Sequence, residues 1–216
     1  MITLDKVSKT YLTEHGKHQV LKGISTTIRP GEKVGVLGRN GSGKSTLVRL
    51  LAGSERPSSG LVRRSMQVSW PLAFGGAFQG SLTGLDNLRF ICRIYNVAWQ
   101  DKVDFVEGFA ELDEFFKEPV KTYSSGMRAR LAFAISMAIE FDCFLIDEVI
   151  TVGDARFHDK CRHELFGQRG DRAMVIVSHT ESVIKKHCER ALVLDQGELT
   201  EFSDVDEAIA FYKAHC

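Results

Sequence analysis

Val34-Gly35-Val36-Leu37-Gly38-Arg39-Asn40-Gly41-Ser42-Gly43-Lys44-Ser45-Thr46 is the stretch on which the fold turns. Its apolar start predicts a buried strand over Lys33–Leu37, and the residues after it a helix over Lys44–Ala52. Between them, Gly38 to Ser45 matches G-x-x-x-x-G-K-[ST]. The glycines at 38, 41 and 43 let a backbone wrap phosphate groups without Cβ clashes, and the successive amides of Arg39, Asn40, Gly41 and Ser42 form an anion nest. The start of the helix adds roughly half a positive charge at the same place. Lys44 supplies a full charge to the β and γ phosphates, the Ser45 hydroxyl is suited to Mg2+, and Thr46 completes the binding turn. Such a loop between a strand and a helix is a nucleotide site.

Outward from it, strands and helices alternate. Strands are expected at Met1–Val7, Gln19–Ile28 and Leu61–Trp70, the last after the Pro57-Ser58-Ser59-Gly60 break, with a Gly-rich loop at Phe74–Gly80. From Ser81 to Ile139 the period turns helical, with Leu85, Leu88, Cys92 and Tyr95, then Met127, Leu131, Ala134, Ile135 and Ala138, at three- and four-residue steps. Phe141–Ile146 reads as a strand, Asp154–Phe166 as a helix, Ala173–Val177 as a strand and Glu181–His187 as a helix. Ala191–Leu194 and Leu199–Phe202 flank a hairpin signal at Asp195-Gln196-Gly197-Glu198, and Ser203 with Asp206 forms a capping pattern before a last helix to about Ala214. The expectation is an α/β fold with a mainly parallel sheet, the β-rich start and the helical stretch from 81 to 139 being additions to it.

The chain has 216 residues, 44% of them apolar and 26% charged, enough to bury a substantial core as one domain. Lys plus Arg and Asp plus Glu are both 28, so neither a basic nucleic-acid coat nor an acidic tail is present. The closest approach to a membrane span, Leu131 to Ile146, is broken by Ser136, Glu140 and Asp142, and the first residues have no apolar signal core. A cytosolic protein is expected. The five cysteines (Cys92, Cys143, Cys161, Cys188, Cys216) are scattered and read as reduced thiols.

Phe144-Leu145-Ile146-Asp147-Glu148 is the second half of the site: a buried strand that delivers two acids to the carboxyl edge of the sheet. Asp147 is suited to hold Mg2+ through water, and Glu148 to accept a proton from an attacking water. His158, Cys161 and His163 lie close enough on one helix to suggest a metal, but no fourth ligand follows at a suitable spacing. Arg128 and Arg130 could touch phosphate or a partner, although most such charges are simply solvated.

The order of motifs resembles the nucleotide-binding subunit of an ABC transporter along essentially the whole chain, 1–216. After the P-loop come Gln79, then Tyr123-Ser124-Ser125-Gly126-Met127, Asp147-Glu148, Val152-Gly153-Asp154 and Val177-Ser178-His179. In that family these positions are the Q-loop, signature, Walker B, D-loop and H-loop. The resemblance implies a RecA-like P-loop NTPase core with an N-terminal antiparallel β subdomain and a helical subdomain at about 81–139. It implies ATP and Mg2+ as cofactors, with Tyr11 stacking on adenine. Gln79 would bridge metal, water and the membrane partner, and His179 would contact the γ-phosphate. Ser124, Ser125 and Gly126 would meet the ATP of the other subunit in a head-to-tail homodimer.

Two departures stand out. The signature reads YSSGM where the family has LSGGQ, so Ser125 replaces a glycine and Met127 a glutamine. The D-loop reads Val-Gly-Asp where Ala-Leu-Asp is usual. Both departures, and the stretches from Ser69 to Tyr95 and from Tyr123 to Asp154, closely resemble capsular-polysaccharide export ATPases of Gram-negative bacteria. That implies an integral membrane permease as partner, the polysaccharide as indirect substrate, and a place on the cytoplasmic side of the inner membrane. With so short a chain, the carbohydrate-binding domain of some related exporters is not expected, and glycan recognition would lie in other subunits. O-antigen or teichoic-acid export is the alternative. An ABC ATPase acting on nucleic acid fits less well, given the zero net charge, and a small kinase or GTPase would lack the signature.

Overall fold

A computed structural model describes residues 1–14, 16–72, 78–147, 154–178 and 180–215. Glu148, His179, the Val152-Gly153 pair and most of the Gly-rich loop lie outside the described residues. The chain packs as two units: Met1–Pro71, Phe141–Val149 and Asp171–Cys216 form the first, Leu72–Glu140 and Ile150–Gly170 the second.

The first unit holds two sheets. In one, β1 (Ile2–Thr13) pairs antiparallel with β2 (Gly16–Ile28) and with β4 (Ser59–Arg64). In the other, β5 (Val68–Pro71), β6 (Cys143–Asp147), β7 (Ala173–Val177), β3 (Lys33–Leu37), β8 (Arg190–Asp195) and β9 (Glu198–Phe202) lie in that order, parallel except for the closing β8–β9 hairpin. Chemistry separates the two. β7 is buried at every residue and β3 from Val34 to Leu37, the continuous apolar run of a strand covered on both faces. β1 instead begins with alternation, Ile2 and Leu4 inward.

Helix α1 (Lys44–Ala52) joins both sheets in one core: its Leu47, Val48, Leu50 and Leu51 pack with Ile2, Leu4 and Leu21 of the first sheet and with Val36, Val175 and Leu192 of the second. It ends where Gly53 turns left-handed and its amide donates to Leu50 O at 3.2 Å. Arg64 of β4 adds bonds to the carbonyls of Leu50 and Leu51, so a strand caps the helix that carries the P-loop.

Leu61–Trp70, expected as one strand, is two strands in different sheets. Met66 is buried at the crossing, where the Gln67 amide donates to Asp142 Oδ2 and Gln67 O accepts the Asp142 amide, so apolar character runs on while the pairing partner changes. The last helix, α7 (Val205–His215), is capped by Asp204 and not by Ser203: Asp204 Oδ1 accepts from the amides of Asp206 and Glu207 at 2.7 and 3.0 Å. α6 (Glu181–His187) has the expected bounds.

In the second unit the segment expected to be helical is three α-helices, α2 (Gly84–Ile94), α3 (Val103–Ala110) and α4 (Ser125–Ala138), separated by 3-10 turns. Glu111 and Asp113, with φ of 51° and 48°, break the helical path after α3. Thr83 and Asp86 form the capping pair of α2. The end of α4 is buried at every residue from Leu131 to Ala138, wider than the stripe its periodicity predicts. Phe109, Phe133 and Phe157 form an aromatic cluster across α3, α4 and α5 (Ala155–Arg162). α5 is shorter than the expected helix and continues as a π turn over His163–Gln168. Among the described residues no helix is long and apolar enough to cross a membrane, and no group of three or more His, Cys, Asp or Glu side chains is gathered as for a metal.

Candidate functional site

A cleft of about 230 Å3 opens at the end of β3. Asn40, Gly41, Gly43, Lys44, Ser45 and Thr46 line it from the P-loop and the first turn of α1, and Asp147 lines it from the end of β6. The parallel order of the sheet brings Asp147 there, because β6 and β3 both point their carboxyl ends the same way, with β7 between them. Ser45 and Asp147 thus line one cavity across a hundred residues of sequence.

The loop itself is tightly held. Lys44 is 8% exposed, and its ammonium donates to Gly38 O at 2.6 Å and Arg39 O at 2.8 Å, which sets a full positive charge inside the turn. Ser42 Oγ is buried without a hydrogen-bond partner, an orphaned polar atom in a loop rich in amide donors. An anion that accepts those hydrogens, with a hard cation between a hydroxyl and a carboxylate, suits this donor set. The residues fit a nucleotide triphosphate with Mg2+.

Gly38 is obligatory for a steric reason. A Cβ there would stand 2.4 Å from Leu194 O on β8 and 2.6 Å from Ser42 Oγ, so any side chain displaces the loop or the strand. Gly38→Ala is expected to weaken MgATP binding at least about tenfold and to lower the melting temperature. Titration calorimetry and thermal melts check this, and a wild-type dissociation constant would mean that β8 does not hold the loop.

Val20, a half-buried residue of β2, also lines the cleft, and its Cγ1 lies 3.0 Å from where a Gly43 Cβ would be. Nothing in the sequence singles it out, since a valine in a strand reads as packing. Tyr11 is not among the lining residues. Its hydroxyl lies 3.4 Å from Thr46 Oγ1, at the edge of the phosphate end, and donates to Glu55 Oε2 at 2.8 Å. The cleft is smaller than a typical ligand pocket, so it suits the phosphates and leaves the base to the surface beyond.

Of the remaining expected residues, Glu148 and His179 lie outside the described residues, and Gln79, the signature and Asp154 belong to the second unit. Ser124 caps α4, its Oγ accepting from the Met127 amide at 3.2 Å, and Ser125 opens the helix. Arg128 donates to Tyr123 O at 2.5 Å, so it braces the signature turn, where the sequence suggested a solvated charge or a contact with phosphate or a partner. Gly126 is uncrowded: a Cβ there would meet only Ser124 Oγ, at 3.9 Å. Gln79 is exposed, with its backbone clamped by the buried Asn87, whose Oδ1 accepts the Gln79 amide at 3.0 Å. Asp154 caps α5 through the amide of Phe157 at 2.9 Å.

A parallel sheet with a P-loop at its centre, a carboxylate two strands away and a β-rich front sheet defines a P-loop ATPase of the cassette type. The chain belongs to the ABC transporter family, whose model matches residues 21–151. It is 58% identical to the capsule polysaccharide export ATP-binding protein CtrD of Neisseria meningitidis serogroup B, over 99% of each chain. It is 56% identical to the ATP-binding protein BexA of Haemophilus influenzae, over 98% of each. Among solved structures, the dimeric ABC transporter cassette MJ0796 superposes with a TM-score of 0.76 at 23% identity, covering 94% of this chain and 98% of that one, a likeness of fold.

Proposed function

We propose that this chain is the ATP-hydrolysing subunit of an ABC transporter that exports capsular polysaccharide. The observation that carries this is its 58% identity, over 99% of both chains, to a capsule polysaccharide export ATP-binding protein. In this reading Lys44 and the amides of Gly38 to Ser45 hold the phosphates, and Val20 and Tyr11 meet the sugar and base. Ser45 and Asp147 would hold Mg2+, which neutralises charge on the β- and γ-phosphates when bound. Glu148 takes a proton as water oxygen bonds to the γ-phosphorus. The bond from that phosphorus to the bridging oxygen breaks, its electron pair leaves with ADP, and inorganic phosphate is released. Gln79 and His179 are assigned to the water and the γ-phosphate.

Two subunits are proposed to close on ATP, with the signature of one on the nucleotide of the other. The open space at Gly126 supports this, because a side chain there leaves its own subunit undisturbed. A dimer with Lys44→Ala in one subunit and Gly126→Val in the other should hydrolyse ATP, since one composite site stays intact, whereas either homodimer should not. Equal residual activity in all three dimers would sink the cross-subunit assignment.

The subunit is placed at the cytoplasmic face of the inner membrane, bound to an integral permease that supplies the channel. Replacing Glu148 by Gln in the source cell should leave polymer synthesis running while surface capsule disappears and polymer accumulates inside. Fractionation with antibody or sugar analysis measures this. Normal surface capsule with depletion of another envelope glycan, such as O-antigen or teichoic acid, would reassign the substrate.

A further inference from the structure

Beside the phosphate cleft, three side chains from two parts of the front of the chain, Lys9, Tyr11 and Arg49, meet at one carboxylate. Glu55 lies just after α1 and is mostly buried, its side chain 18% exposed. Its Oε2 accepts the Tyr11 hydroxyl at 2.8 Å and Arg49 Nε at 3.0 Å, and its Oε1 faces Lys9 Nζ at 2.9 Å. Arg49 Nη2 donates onward to the Tyr11 hydroxyl and to Thr46 Oγ1, both at 3.2 Å. Lys9 also sits over the Tyr11 ring, 5.1 Å from its centroid.

Burial alone would push the Glu55 carboxyl up, but bonds from Lys9, Tyr11 and Arg49 outweigh it and hold the group down at about 2. It is a carboxylate at any physiological pH. A tyrosine on a strand would ordinarily rotate about two side-chain bonds, and a flat ring that must receive a base loses affinity for each rotamer it samples. Here the hydroxyl is gripped from two sides. One ring face lies under an ammonium, which leaves the other for a base. The same guanidinium that holds the hydroxyl also holds Thr46, a wall of the phosphate cleft.

We propose that Glu55 is a positioning residue for the nucleobase: through the Tyr11 hydroxyl and Arg49 it locks the stacking ring in register with the phosphate-binding helix. It touches no substrate and acts through Tyr11. This rests on the reading of Tyr11 as the base-stacking residue. Removing the Glu55 carboxylate loosens the ring and weakens the base contact, while the phosphate contacts persist.

The test uses the full chain, with MgATP and with inorganic tripolyphosphate, which has the phosphates but no base. Glu55→Ala should raise KM for ATP about five- to tenfold with kcat within about twofold, the net worth of about one hydrogen bond felt through the ring. Its affinity for tripolyphosphate should stay at the wild-type value. Glu55→Gln, which still accepts the Tyr11 hydroxyl, should recover most of the ATP affinity. Tyr11→Phe keeps the ring and loses the grip, so with Glu55→Ala it should give a double variant little worse than either single one. Equal weakening towards ATP and tripolyphosphate, or fully additive effects, would overturn the positioning role. If Tyr11→Ala weakens ATP but Glu55→Ala does not, the positioning role fails and the stacking role stands. If Tyr11→Ala leaves ATP affinity unchanged, the stacking role itself fails, and the proposal with it.

Discussion

Lys44→Ala should abolish ATP hydrolysis and raise the dissociation constant for MgATP on the order of a hundredfold. Two losses combine. The cation opposite the β and γ phosphates disappears, and the loop amides cannot replace a full charge. In addition, the carbonyls of Gly38 and Arg39 lose the donor that bends the turn around them. Leu47, Leu50 and Leu51 still anchor α1 in the core, so the variant should fold. Phosphate release and calorimetric titration on purified protein read both effects. Near-normal turnover at saturating MgATP would remove the P-loop from the mechanism.

Glu148→Gln should separate binding from chemistry. The amide is almost isosteric and accepts no proton, so hydrolysis should fall about 10²- to 10⁴-fold, the contribution of a positioned base, while the dissociation constant for ATP stays put. The stalled protein should gather as an ATP-bound dimer in light scattering and fall apart when nucleotide is removed. Wild-type turnover would mean that another group takes the proton.

The parts of the fold that were legible are those where one local signal dominates. α1, β7 and α6 have the bounds that the sequence predicts; α1 and β7 do so because each buries a contiguous apolar run, whereas α6 buries only Ile184. The hairpin was legible for a similar reason: Gln196 and Gly197, at φ of 45° and 84°, adopt the left-handed geometry that a tight turn asks for. Where the chain passes between sheets, hydrophobicity has no voice, and Leu61–Trp70 looked like one strand. The cap of α7 was a contest between neighbours, Ser203 and Asp204, that only geometry decides.

That the P-loop and Asp147 line one cleft could be read, because each is written in a short run of adjacent residues. Val20 and the Glu55 cluster could not. Tyr11 is marked by the resemblance, but Arg49 and Glu55 are ordinary residues for their places, and only packing against β1 makes them its partners.

The central position of β3 also governs when the protein becomes active during its synthesis. Lys33 pairs with Met174 and Leu37 with Val193, so the strand that leads into the phosphate loop is made early and both its neighbours are made late. Until residues near 195 leave the ribosome, the loop has no wall behind Gly38, whose close neighbour is the carbonyl of Leu194. Such distant pairing is slow to form and leaves apolar edges open meanwhile. An unfinished chain would already contain the P-loop, the signature and Asp147, yet remain unable to capture nucleotide. Premature termination is therefore expected to yield inert fragments, in which the phosphate loop has the right residues but no strand behind it.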